Sequence, residues 1–229
     1  MLRNSKRKKA VLSLILAVVL AIGLGGCGVH ASQEKAREYV QANLDLVFQG
    51  ETQGAKKFLA ASEADLNKMY EKGIQAFVAN YLIGEGEIET EADFTDAFGE
   101  LVEQIFEVQK YQIKESKKTG KDTWEVTVVY RPVNVFTTFI PELQKAGEQI
   151  QADAEAGEYS GTDEEIRKSM LFDYMNQSYT LLKNAYLHME YGEQEKFIFT
   201  VTEKKKNQIS MDGDELNRFI ERILELDKL

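Results

Sequence analysis

Few residues of this 229-residue chain pair a reactive type with a suggestive position. Cys27 is the only thiol, and His30 and His188 are the only imidazoles. A single thiol can be alkylated, act as a nucleophile or bind a metal, but it cannot close a disulfide within the chain. His188 lies in Tyr186-Leu187-His188-Met189-Glu190-Tyr191. It reads either as a general base or metal ligand, or as a helix-end residue favoured by the macrodipole. Zinc wants three or four nitrogen or sulfur ligands, which favours the helix-end reading. His30 stands close to Cys27, where nothing preorganises a site. No Gly-x-Ser-x-Gly elbow presents a serine for a triad. No glycine-rich phosphate loop follows a strand, since Gly23 to Gly28 surround the cysteine.

Carboxylates are plentiful. Glu85, Glu87, Glu89, Glu91, Asp93 and Asp96 form one acidic stretch; Asp153, Glu155, Glu158, Asp163, Glu164 and Glu165 form another. Calcium accepts such oxygen ligands, but neither stretch has the Asp-x-Asp-x-Asp-Gly register of a loop site. Solvated helix ends are the simpler account. A glycosidase needs only two carboxylates at a suitable separation, and nothing here selects a pair. Tyr39, Tyr70, Tyr81, Tyr174, Tyr179 and Tyr186 could line a groove, because a tyrosine joins apolar area to a polar tip. Their helical spacing equally describes core. The sequence calls for no cofactor and no metal.

Cys27 itself has a specific context. Arg3, Lys6, Arg7, Lys8 and Lys9 precede an apolar run from Ala10 to Leu24. A basic start, a short apolar stretch and small residues at its end describe a secretory signal. The run is shorter than the ~20 residues of a membrane-spanning helix. Leu24-Gly25-Gly26-Cys27 resembles the bacterial lipobox. That resemblance implies diacylglycerol on the Cys27 sulfur and cleavage before it. The rival reading is an uncleaved anchor with an incidental cysteine. In a two-membrane host, Gly28 at the second mature position would be unlike an inner-membrane retention signal. The expected location is therefore the cell membrane, lipid-anchored on its extracytoplasmic face.

Cleavage would remove five basic residues and no acidic one, moving the net charge from −10 to −15. So acidic a chain repels nucleic acid on average, and a nucleic-acid binder is not expected. The charge pattern has one local exception. Lys117, Lys118 and Lys121 flank one turn, and Lys204, Lys205 and Lys206 form another. Lysines at turns keep sheet edges soluble; together they could also touch an anionic surface. They are the candidate anionic-surface contacts.

The elements that carry these residues follow from periodicity. Ala36, Tyr39, Val40, Leu44 and Val47 predict a helix from about Glu34 to Phe48, ended by Gly50. A short helical piece is expected at Lys56–Ala60. Ser62 to Asp65 reads as a capping box opening a helix with Leu66, Met69, Tyr70, Ile74, Phe77, Val78 and Tyr81 along one stripe. Thr90 and Asp93 repeat that signal before Phe94, Phe98, Leu101, Val102, Ile105 and Phe106. The period then changes to two. Tyr111 and Ile113, a Thr119-Gly120 turn, and Trp124, Val126, Val128 and Tyr130 predict a hairpin. Pro141 fits the first position of a further helix, and Thr162–Tyr191 reads as a long one. Phe197, Phe199 and Val201, then Ile209 and Met211, predict a second hairpin. Asp212 to Glu215 caps a last helix with Leu216, Phe219, Ile220, Ile223 and Leu224. The expectation is α+β, with helices on one face of a small antiparallel sheet built from two β-hairpins. A helical insertion at about 141–191 separates the hairpins, and a C-terminal helix closes the fold. Residues 1–26 form the signal, 27–33 the lipidated cysteine and a short tether, and 34–229 the folded part.

Two stretches carry a family resemblance. Glu38-Tyr39-Val40-Gln41-Ala42-Asn43-Leu44-Asp45 with Phe48-Gln49-Gly50, and Ala64-Asp65-Leu66 with Met69-Tyr70-Glu71-Lys72-Gly73, resemble an uncharacterised lipoprotein domain family of Firmicutes. That resemblance implies a Gram-positive host with one membrane, but no activity, and it transfers no site residues. The element order is also similar to nuclear-transport-factor-2-like modules in architecture, although the closing helix departs from them, and architecture does not give function. The expected role is a non-catalytic binding or interaction module for a protein, peptide or small ligand. The alternatives are an envelope hydrolase using paired carboxylates and a structural component of envelope assembly.

Overall fold

The fold is given by a computed structural model, which describes residues 32–83, 92–204 and 208–229. Cys27, its neighbours Leu24, Gly25 and Gly26, and His30 lie outside the described residues. So do Thr90, four of the glutamates of the first acidic stretch, Lys205 and Lys206.

Helix α1 spans Gln33–Gln49, with the Ser32 side chain accepting from the Lys35 N–H. It stops at Gly50, whose φ of 66° lies in the left-handed region that glycine enters without penalty. Helix α2 covers Thr52–Lys56. The short piece therefore falls earlier than the expected Lys56–Ala60, and Phe58 and Leu59 sit in the turn that follows. Leu59 packs from that turn against the helical residues Leu46, Ala55, Leu66 and Met69 in a small separate cluster. Helix α3, Glu63–Val78, opens with the expected capping box, Ser62 and Asp65 exchanging hydrogen bonds. A π-helical turn at Ala79–Ile83 continues it. Helix α4 spans Ala92–Glu107 and buries Phe98, Leu101, Val102, Ile105 and Phe106.

Strands β1 (Lys110–Lys118), β2 (Thr123–Arg131), β3 (Glu195–Lys204) and β4 (Gln208–Met211) form one antiparallel sheet in the order β1-β2-β3-β4. A bulge between Ile113 and Glu115 re-registers β1. The buried face carries Ile113, Trp124, Val126, Val128, Tyr130, Phe197, Phe199, Val201, Ile209 and Met211. The other face is largely open, with Ile198 52% exposed and Val129 buried. Between the hairpins come helices α5 (Val135–Glu155) and α6 (Asp163–Leu187), and helix α7 (Gly213–Ile223) closes the chain.

Pro141 does not begin α5. The helix starts six residues earlier, and Pro141 lies inside it. An internal proline removes one helical hydrogen bond and crowds the preceding turn. Here Val135, Phe136 and Phe139, fully buried in the main core, hold the first turns in place regardless. The helical insertion accordingly begins at 135, and its second helix ends at Leu187.

Helix α1 touches all four strands on the buried face. Its Phe48 ring meets Tyr111, Phe106 and Phe219. Phe219 of α7 in turn meets Tyr130, Phe197 and Phe199. This aromatic seam joins α1, α4 and α7 to the sheet.

Candidate functional site

Antiparallel register places both hairpin turns at one end of the sheet. Thr123 pairs with Thr202, and the Glu203 N–H donates to the Asp122 carbonyl at 2.8 Å. The first turn is closed by the Thr119 and Gly120 N–H groups on the Thr123 carbonyl. Lys117, Lys118, Lys121 and Lys204 all belong to this end and are exposed. Lys118 Nζ lies over the Trp124 ring, 5.3 Å from its centre, and Lys117 stands opposite Glu125. The fold thus brings these four lysines, from both turns, to one end of the sheet.

The same end holds the start of α1. At the far end of the sheet, the Tyr111 hydroxyl donates to Asp45 Oδ1 at 2.8 Å, near the C-terminus of α1. At the other side, the Tyr39 hydroxyl reaches the Met211 backbone. Met211 belongs to the row Lys118, Trp124, Val201 and Met211, which lies toward the tips. Helix α1 thus crosses the sheet obliquely, from the tip end on the β4 side to the far end on the β1 side. Seven residues of helix carry Ser32 about 10 Å beyond Tyr39. Lys204 stands three residues, about 10 Å, beyond Val201 toward the tips.

The other sequence candidates separate cleanly. His188 is the C-cap of α6; its Nδ1 lies 2.9 Å from the Asn184 carbonyl, and the ring is exposed. That is the helix-end position, without a carboxylate or second imidazole among its hydrogen-bond partners. The second acidic stretch serves helix ends. Glu165 completes a capping box with Thr162, Glu164 pairs with Lys168, and Asp153 accepts from Gln149. Asp212 caps α7 through the Asp214 N–H. Glu215 instead takes the Thr200 N–H at 2.6 Å and its hydroxyl at 2.9 Å, closing the ladder of β3 where β4 stops. Among the described residues no group of three His, Cys, Asp or Glu side chains could hold a metal ion.

Of the six tyrosines, Tyr39 is buried, and the others pack at the core edge. Tyr70 also lines a cavity of about 30 Å³ with Leu46 and Val47 of α1, Gly73 of α3, Phe106 of α4 and Ile220 of α7. That is room for about one water molecule, far below the several hundred Å³ of a ligand pocket. A feature the sequence reading missed lies beside it. Glu100, Glu103 and Glu107 recur at helical spacing on α4, and Glu71 of α3 adds its charge. Partial burial, then Glu107, Glu100 and Glu71, hold the Glu103 carboxyl above its ordinary value. Burial, with Glu103 and Glu107, pushes the Tyr70 phenol up to about 12. The signal in the sequence was the i, i+3, i+7 spacing of the glutamates.

No helix among the described residues is long and apolar enough to cross a membrane. No family model matches the chain, and no curated protein does. One solved structure, a "putative lipoprotein (ycdA)" from Bacillus subtilis, is similar over 84% of this chain at 16% sequence identity and a TM-score of 0.46. The chain spans 56% of that protein's length.

Proposed function

We propose that this protein is a lipid-anchored extracytoplasmic module that binds a protein, peptide or small ligand without catalysing a reaction on it. The observation that carries the reading is Leu24-Gly25-Gly26-Cys27, holding the chain's one cysteine at the end of a basic-then-apolar start. Helix α1 begins only six residues later. A diacylglycerol on Cys27 with a further acyl chain would meet the two-signal requirement for stable anchoring. Even fully drawn out, the chain between Cys27 and Ser32 could reach at most ~20 Å, which keeps the folded part close to the bilayer. Mass spectrometry of the native mature protein tests this reading. A diacylglyceryl adduct on an N-terminal Cys27 is expected, and Cys27→Ala should abolish it and leave the precursor unprocessed or released. An unmodified thiol would overturn it.

A second reading, a carboxylate hydrolase, draws on the raised Glu103 carboxyl beside Glu107 and Tyr70. An upward shift is what a carboxyl acting as general acid requires. Partial burial on a like-charged helix face produces the same shift without any chemistry. Glycan or ester hydrolysis by the purified protein that disappears in Glu103→Gln would favour the enzyme.

A further inference from the structure

We infer that the hairpin-tip end of the sheet is the face turned toward the bilayer, with Lys117, Lys118, Lys121 and Lys204 resting on anionic lipid headgroups. The inference depends on the anchoring reading above and adds an orientation to it.

The first support is where the tether leaves the fold. The Tyr111–Asp45 hydrogen bond and the reach of Tyr39 to Met211 fix the direction of α1. Ser32, the residue to which the tether joins, is therefore at the tip end. A bilayer attached through at most ~20 Å of chain meets that end first. The far end, where Tyr130 pairs with Glu195, lies about 23 Å farther along the strands from Thr123.

The second support is charge. The mature chain carries −15, which an anionic leaflet repels as a whole. At the two turns the sign reverses: residues 117–125 and 202–206 contain six lysines against Asp122, Glu125 and Glu203. Basic residues near an anionic surface are attracted within about one Debye length, ~8–10 Å at physiological salt. A tether of that length lets these lysines enter that range. Orientation by the tether and attraction by the tips thus act on the same face.

The test uses the mature lipoprotein in phosphatidylcholine–phosphatidylglycerol vesicles that carry a fluorescent headgroup acceptor. Alkylated Cys27 leaves no free thiol, so Thr119→Cys at the tips and Gln194→Cys at the far end each give one labelling site. Both residues are exposed and outside the core. Energy transfer to the headgroups should be several-fold stronger from position 119 than from 194. Raising salt to ~1 M, where the Debye length falls to about 3 Å, should reduce transfer from 119. In a chain with all four lysines changed to Gln, it should start lower and respond little to salt. Equal transfer from both positions on a chain bearing its lipid would overturn the orientation. A Gln variant indistinguishable from the parent would overturn the headgroup contact. Absence of lipid on Cys27, read by mass, would overturn the anchoring reading instead.

Discussion

The Tyr111 hydroxyl and the Asp45 carboxylate, 66 residues apart, meet at 2.8 Å and tie the end of α1 to the start of β1. Asp45 also accepts from Gln41 Nε2 at 2.6 Å. Burial, followed by the hydrogen bond and the charge of Asp45, keeps the phenol from ionising in the ordinary tyrosine range. Hydrogen bonds to charged groups contribute about 1.5–3 kcal/mol, and Asp45 would keep its Gln41 partner, so Tyr111→Phe should cost about 1–2 kcal/mol. Chemical denaturation with an unchanged m-value would check it.

Gly50 turns the chain out of α1 with φ +66°, and a Cβ there would stand 3.2 Å from the Tyr70 ring. Both the backbone conformation and the contact oppose any side chain. Gly50→Ala should lower stability by about 1–2 kcal/mol. Gly73→Ala is the comparison, because a Cβ there meets nothing within 4 Å. In mid-helix, with open space for its Cβ, an alanine should match or exceed glycine in stability.

Glu215 ends the β3 ladder by accepting from the Thr200 N–H and hydroxyl. Glu215→Ala removes both bonds and opens that part of the strand edge to water. A loss of about 1.5–3 kcal/mol is expected from charge-assisted bonds of this kind. Amide exchange should quicken at Thr200 more than at Val126, which lies inside the β2 ladder. Uniform acceleration across the sheet would contradict a local role.

Glu103 supplies the pH dependence. Its folded carboxyl titrates above the ordinary 4.5, through burial first and then Glu107, Glu100 and Glu71. As pH rises through 4.5 the unfolded chain gives up this proton before the folded chain does, so the folded state loses stability. The loss is complete above the folded value and persists at neutral pH. Glu103→Gln should therefore raise the melting temperature at pH 7 and leave it unchanged below pH 4. The like-charge part of that gain is about 0.2–0.5 kcal/mol for each pair on a helix. Melting curves of both proteins across that range would show it.

Local patterns carried much of this fold. The stripes of α3 and α4, the alternation in β2 and β3, the Ser62 and Thr162 capping signals and the stop at Gly50 are each encoded within a few residues. Pro141 shows the limit of such reading. Its preference for a helix start is a local energy, and the burial of Val135, Phe136 and Phe139 outweighs it.

The sequence by itself determined the elements, the gathering of lysines at two turns and the setting of Cys27, because periodicity, turn chemistry and motif spacing act over short stretches. Only tertiary structure decided that α1 starts at the tip end, that Glu71 joins Glu100, Glu103 and Glu107 beside Tyr70, and that Glu215 finishes the edge of β3. Those relations depend on how helices are laid across the sheet. That arrangement is set by side chains distant in sequence, such as Phe48 with Phe219 and Asp45 with Tyr111, and is absent from any local pattern.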